Sequence, residues 1–75
     1  MKPYERPALT PEQLADVEQM EKRFEAHIEA NPEWIDFNMM FDGAPRAAFD
    51  EFVDRLEKAK YIVTKHNSWV YIKRP

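Results

Sequence analysis

The sequence predicts an α+β domain in which two helices pack on one face of a small three-stranded mixed sheet, in the order α-β-α-β-β. Three observations lead to this prediction. Two segments repeat apolar residues at spacings of three and four, which is the period of a helix. A third segment alternates apolar and polar residues, as a half-buried strand does. Two further segments near the carboxyl terminus are rich in β-branched and aromatic residues, which is typical of strands.

The first predicted helix begins at a strong start signal. Thr10, Pro11 and Gln13 form a capping box with proline at the first helical position. An apolar stripe follows over about five turns, and its members are Leu14, Val17, Met20, Phe24 and Ile28. Asn31 and Pro32 end the helix, because the residue before a proline is disfavoured in helical backbone.

The segment from Trp34 to Phe41 allows two interpretations. Ile35, Phe37, Met39 and Phe41 alternate with more polar neighbours, which favours a strand. A short helix would put Asn38 and Asp42 on the same side as Ile35, which is a poorer apolar face. We therefore predict a strand.

The turn from Asp42 to Pro45 leads into the second predicted helix, with Asp42 as the expected N-cap. Its buried stripe consists of Ala48, Phe49, Phe52, Val53, Leu56 and Ala59. Residues 61–65 and 69–73 then form a predicted hairpin. Since the crossover through this helix makes the first two strands parallel, the last strand fits between them as an antiparallel centre strand.

The length of 75 residues allows one core, so we predict a single domain over residues 10–75, preceded by an amino-terminal arm over residues 1–9. A core of this size leaves about 3 to 5 kcal/mol of stability. The chain has no cysteine and therefore no disulfide to add to this. The size favours association, either as a homodimer or as a tight complex with another protein.

The sheet face opposite the helices is the predicted contact surface. It receives residues from the set Trp34, Asp36, Asn38, Met40, Tyr61, Val63, Trp69 and Tyr71, which is more apolar than a solvated face. Together with the neighbouring hairpin cations, this surface provides the predicted partner-binding residues: Trp34, Met40, Lys65, His66, Trp69, Tyr71, Lys73 and Arg74. The expected function is that of a small regulator or inhibitor that binds a larger protein.

The charge distribution supports an alternative. Residues 1–57 carry 14 acidic and six basic residues, a net charge of −8, whereas residues 58–75 carry five basic residues and no acidic one, a net charge of +5. Lysines combined with Tyr61, Trp69 and Tyr71 are typical of surfaces that hold phosphates and stack bases. The alternative is therefore a nucleic-acid-binding domain that uses the basic carboxyl-terminal hairpin, as a winged-helix domain uses its wing.

The sequence contains no catalytic set that we recognise. Ser68 is the sole serine and follows His66 by two residues in a predicted hairpin tip, where a nucleophile and its base seldom align. His27 lies at the edge of an apolar stripe, where packing is the simpler role. We expect neither an enzyme nor a bound cofactor or metal ion. The chain has no apolar run of membrane-spanning length and no signal-peptide pattern at its start, so we expect a cytoplasmic protein.

Residues 33–75 resemble the regulator of ribonuclease E activity B family. The shared features are an alternating strand, a short acidic turn, an alanine-rich amphipathic helix and a strand with the Y-x-V pattern of Tyr61-Ile62-Val63. The helix start from Pro11 to Leu14 is similar too. The resemblance corresponds to the first half of such a protein, with Lys60 where the family has glycine and without the family's acidic tail. It implies a non-enzymatic protein that restrains a larger enzyme, and it transfers no site residue. A phage-encoded inhibitor of a host complex fits the residues equally well.

Overall fold

The computed structural model describes residues 8–67 and 69–75, which form two helices and three strands in the predicted order. The elements are α1 (Pro11–Ala30), β1 (Asp36–Met40), α2 (Arg46–Lys58), β2 (Ile62–His66) and β3 (Trp69–Lys73). The predicted α-β-α-β-β architecture is confirmed. Most of the predicted amino-terminal arm, residues 1–7, lies outside the described residues.

Helix α1 begins at the predicted capping box. The backbone N–H of Thr10 donates to Oε1 of Gln13 at 3.0 Å, and the N–H of Gln13 donates to Oγ1 of Thr10 at 3.2 Å. These two bonds satisfy donors that the first turn of a helix leaves without partners. The helix ends at Ala30, where the side-chain amide of Asn31 donates to the His27 carbonyl at 2.9 Å.

The segment after α1 is extended, so the strand prediction is confirmed. Phe37 and Met39 of β1 are buried while Asp36 and Asn38 are exposed, which is the period-two pattern of a strand with one covered face. The sheet order is β1-β3-β2, and β3 is antiparallel to both neighbours, so the sheet is antiparallel throughout and not mixed as predicted. Strands β1 and β2 therefore run in the same direction with β3 between them, as the crossover through α2 requires.

Both helices cover the same face of the sheet, and aromatic rings fill the space between the layers. The ring of Phe24 on α1 makes edge-to-face contacts with Phe37, Phe52 and Tyr61, at centroid distances of 5.9, 6.3 and 5.3 Å. This is the favoured geometry for aromatic pairs. Phe24 thus joins α1 to β1, to α2 and to the start of the hairpin.

Helix α2 begins later than predicted. Asp42 is not its N-cap; Pro45 holds that position without a side-chain hydrogen bond, and the helix begins at Arg46. Residues 41–44 instead form a turn, in which the Ala44 N–H donates to the Phe41 carbonyl at 3.4 Å and Gly43 has φ +76°. Because a residue before proline is pushed out of helical backbone, Pro45 prevents the helix from including Ala44.

The carboxyl end of α2 is a Schellman motif with lysine at the left-handed position. The Lys60 N–H donates to the Glu57 carbonyl at 3.0 Å, and the Tyr61 N–H donates to the Leu56 carbonyl at 3.1 Å. Lys60 has φ +75°, a conformation that glycine adopts without strain and that side chains with a Cβ disfavour. The backbone at Lys60 thus favours glycine.

The substitution Lys60→Gly is expected to stabilise the protein. Relief of the left-handed strain, set against the greater freedom of glycine in the unfolded chain, predicts a gain of about 0.5 to 1 kcal/mol in the free energy of unfolding. Urea denaturation followed by circular dichroism measures it. Lys60→Ala is the matched control, since it removes the same charge but keeps the Cβ. Equal stabilities of the two variants would contradict the prediction.

Candidate functional site

The sheet face opposite the helices is formed by nine side chains in three cross-strand rows. The rows are Asp36, Lys73 and Ile62, then Asn38, Tyr71 and Thr64, and finally Met40, Trp69 and His66, each in the order β1, β3, β2. Met40 is half-buried and the other eight are exposed. We call these nine residues the open sheet face.

Two aromatic rings stand on the central strand of the open sheet face. Trp69 and Tyr71 are two residues apart on β3, so their side chains lie on the same side of the sheet. Trp69 is 37% exposed and Tyr71 is 49% exposed. Ile62, at 61%, adds an aliphatic side chain on the neighbouring strand. Large apolar groups are thus concentrated on a surface that the chain's own helices do not cover.

Five of the eight predicted partner-binding residues lie on this face: Met40, His66, Trp69, Tyr71 and Lys73. Trp34 does not, although its alternation with Asp36 and Asn38 predicted it there. It precedes β1, and its ring contacts His27 of α1 at 5.6 Å and the buried Phe37 at 6.3 Å. Trp34 therefore lies beside the carboxyl end of α1, on the helix side of the sheet.

Arg74, also predicted to bind a partner, makes hydrogen bonds within the fold. Its Nε donates to the Trp34 carbonyl at 2.6 Å, and its Nη2 donates to the carbonyls of Asn31 at 3.3 Å and Ile28 at 3.4 Å. The guanidinium carbon lies 5.1 Å from the centre of the Phe37 ring, within the range of a cation–π contact. The guanidinium thus joins the end of the last strand to the end of α1, and this arrangement engages its Nε and Nη2 donors within the fold.

Strand β2 has the opposite orientation from the one predicted. Val63 and Tyr61 pack against the core, and Ile62 and Thr64 belong to the open sheet face instead. Lys65 shares the side of Val63, and its Nζ lies 3.3 Å from Oδ1 of Asp50 on α2. Residues 61–65 are apolar or amphipathic on both sides, so their alternation does not indicate which side is buried. The register with β3 decides it.

Several cations in or beside the hairpin are engaged within the fold. Lys58 pairs with Asp54 at 3.2 Å and Lys65 with Asp50 at 3.3 Å, while Arg74 donates to the carbonyls described above. Lys73 lies directly across from Asp36 in the sheet register. The open sheet face carries one lysine and one aspartate, so it has no excess positive charge when His66 is neutral.

Outside the open sheet face, ionisable side chains link the two helices. Arg55 on α2 donates to Glu51 at 2.8 Å and to Glu21 on α1, and these hydrogen bonds, the one to Glu51 most, raise the pKa of its guanidinium. Within residues 8–67 and 69–75, no group of three histidine, aspartate or glutamate side chains could hold a metal ion. In that same part of the chain, neither helix is apolar enough to cross a membrane. Ser68, which the sequence disfavours as a nucleophile, lies outside the described residues.

The fold and the site together define a two-layer α+β domain with one sheet face that the described part of the chain leaves uncovered. No family model, curated protein or solved structure matches the chain. The resemblance to the regulator of ribonuclease E activity B family therefore stays a prediction from the residues.

Proposed function

We propose that this protein is a small non-enzymatic regulator or inhibitor that binds a larger enzyme or complex through the open sheet face. The observation that carries the proposal is the pair Trp69 and Tyr71. The two residues are neighbours on the outward side of the central strand and are directed away from the core. Tryptophan and tyrosine are the residues most enriched among those that dominate protein–protein binding energy. Burial of apolar surface contributes about 25 cal/mol per Å², so two such rings supply several kcal/mol when a partner covers them.

The two rings are also well prepared for binding. Strand β3 is paired on both sides, so its backbone is held by β1 and β2. A side chain on a rigid strand loses less conformational entropy on binding than one on a mobile loop. Tyr71 lies at the centre of the face, with Trp69 beside it on β3, and most of the surrounding positions are polar: Asp36, Asn38, Lys73, Thr64 and His66. An apolar centre with a polar rim is the usual composition of a protein–protein interface.

A protein partner agrees better with the charges than a nucleic acid does. Binding to phosphates depends on several cations that are available to neutralise them. Here Lys58 and Lys65 are paired with carboxylates, Arg74 with backbone carbonyls, and Lys73 lies across from Asp36. One observation still favours the alternative: two exposed rings on neighbouring outward positions are the arrangement on which single-stranded bases stack.

The double substitution Trp69→Ala and Tyr71→Ala tests the proposal. Wild-type protein and the variant are immobilised and exposed to a native lysate, and the retained proteins are compared by mass spectrometry. We expect a protein that the wild type retains and the variant loses, with affinity reduced at least about 30-fold, since one such anchor is worth about 2 kcal/mol or more.

The matched control is Ile35→Ala, which removes an exposed apolar side chain that precedes β1 and lies outside the open sheet face. Circular dichroism establishes that both variants are folded. Undiminished capture by the double variant would contradict the proposal. Fluorescence titration with single-stranded DNA and RNA at several salt concentrations tests the alternative: salt-dependent quenching of Trp69 that the protein partner does not compete with would favour it.

A further inference from the structure

Within residues 8–67 and 69–75, strand β2 lies at an edge of the sheet and has a neighbouring strand on one side only. The orientation of its backbone groups follows from one hydrogen bond. The Arg74 N–H donates to the Ile35 carbonyl at 2.9 Å, so Arg74 directs its backbone groups toward the β1 side. Since successive residues of a central antiparallel strand bond alternately to its two neighbours, Trp69, Tyr71 and Lys73 bond to β2.

The partners of these three residues on β2 are His66, Thr64 and Ile62. The backbone N–H and C=O groups of the two residues between them, Val63 and Lys65, therefore point away from the sheet. Each copy of the chain presents two donors and two acceptors along this edge. A row of such groups is a template for pairing with another strand.

The other edge of the sheet is different. By the same alternation, the outward backbone groups of β1 belong to Asp36, Asn38 and Met40. The Met40 carbonyl accepts from Arg23 of α1 at 3.3 Å, and the guanidinium of Arg23 lies 4.7 Å from the centre of the Phe41 ring. A charged side chain thus covers one end of the β1 edge, which is a usual way to prevent strand addition. Strand β2 is the edge that is better suited to pairing.

The β2 edge is complementary to itself when two copies pair antiparallel about Thr64. In this register Val63 of each copy faces Lys65 of the other, and the four outward groups of each strand form four hydrogen bonds between the strands. Thr64 faces Thr64, a favourable cross-strand pair, and Ile62 faces His66. No like charges are opposed, whereas a register centred on Lys65 would oppose two lysines.

We propose that the protein forms a homodimer by antiparallel pairing of β2 with β2 of a second copy about Thr64, giving one continuous six-stranded sheet. Such a dimer supplies the association that a 75-residue chain without cysteine otherwise lacks. It also joins the two open sheet faces into one surface of twice the area. The proposal is independent of what binds that surface, so its failure would leave the proposed function standing.

Disulfide trapping tests the register directly. Thr64 faces its symmetry mate in a pair without hydrogen bonds, with Cα atoms about 4.5 Å apart, which is within the range for a disulfide. The wild-type chain has no cysteine, so Thr64→Cys introduces the sole thiol. We expect mild oxidation to convert most Thr64→Cys chains to covalent dimers.

The matched control for trapping is Asn38→Cys, which places the thiol in the same cross-strand row at the opposite edge. It is expected to remain largely monomeric on denaturing gels without reductant. Equal trapping of the two variants, or none in either, would overturn the proposal.

Removal of an outward amide provides a second test. Lys65→Pro deletes an N–H that points away from the sheet, so the pairing of β2 with β3 is kept. Its loss from both copies is expected to raise the dimer dissociation constant at least about tenfold in sedimentation analysis. Lys65→Ala, which removes the same ion pair with Asp50 but keeps the amide, is expected to dimerise like the wild type. A wild type that sediments as a 9.0 kDa monomer at every concentration would overturn the proposal.

Discussion

Phe24→Ala is expected to leave most of the protein unfolded at 25 °C. The Phe24 side chain is 4% exposed, and its ring contacts Phe37, Phe52 and Tyr61. Truncation of a buried phenylalanine to alanine costs about 3 to 5 kcal/mol, through lost transfer free energy and the cavity left behind. The total free energy of unfolding of a domain of this size is about 3 to 5 kcal/mol. The expected loss is therefore as large as the total stability.

Far-UV circular dichroism and urea denaturation at a fixed protein concentration measure this loss. A fixed concentration matters because association would contribute to the apparent stability. Ile62→Ala is the control: it also removes a large apolar side chain, but one that is 61% exposed, and we expect a change within about 0.5 kcal/mol. A folded Phe24→Ala variant that loses less than about 1 kcal/mol would show that the aromatic cluster is not the centre of the core.

Arg74→Ala is expected to lower the free energy of unfolding by about 1 to 2 kcal/mol, although Arg74 lies outside the helices and strands, directly after β3. Arg74 donates to the carbonyls of Ile28, Asn31 and Trp34, and hydrogen bonds from a charged donor are worth more than neutral ones. Solvent access reduces the value of these bonds, which is why the expected loss is less than their sum. The corresponding fall in melting temperature is roughly 5 to 15 °C for a domain of this size.

Two further variants show whether the guanidinium itself is responsible. Arg74→Lys keeps the charge but loses the planar group with several donors, so most of the loss should remain. Lys73→Ala removes a cation one residue earlier, on the open sheet face, and should change stability by less than about 0.5 kcal/mol. If Arg74→Ala were no less stable than Lys73→Ala, the link between the chain end and α1 would have no energetic importance.

The sequence predicted those features that depend on neighbouring residues along the chain. The capping box at Thr10 and Gln13 was recognisable because its partners are three residues apart. The period of Phe37 and Met39 predicted a strand, and the β-branched and aromatic run from Trp69 to Lys73 predicted another. The topology followed from a connection rule, since a crossover through α2 leaves room for one antiparallel strand between two parallel ones.

Other features depended on proline and on register. The start of α2 at Arg46 could in principle have been predicted from the sequence, because Pro45 disfavours helical backbone at Ala44. The N-cap propensity of Asp42 suggested an earlier start instead. Which side of β2 is buried could not be predicted from the sequence, since residues 61–65 carry apolar groups on both sides. A shift of one residue in register exchanges the two faces of a strand, and Tyr61 and Val63, which were predicted among the residues of the contact face, pack against the core instead.

The sequence by itself determined the elements, their order and the presence of more aromatic residues than one small core uses. Only the tertiary structure decided which of these aromatic residues face outward, and which lysine and arginine side chains are available to a partner. Trp69 and Tyr71 are on the open sheet face because Val70 and Ile72, which alternate with them on β3, are buried on the helix side. Trp34 and Arg74, in contrast, meet at the end of α1, 40 residues apart along the chain. Local patterns are set by bonds within a few residues, but the direction of a long side chain is set by whichever distant backbone or carboxylate satisfies it.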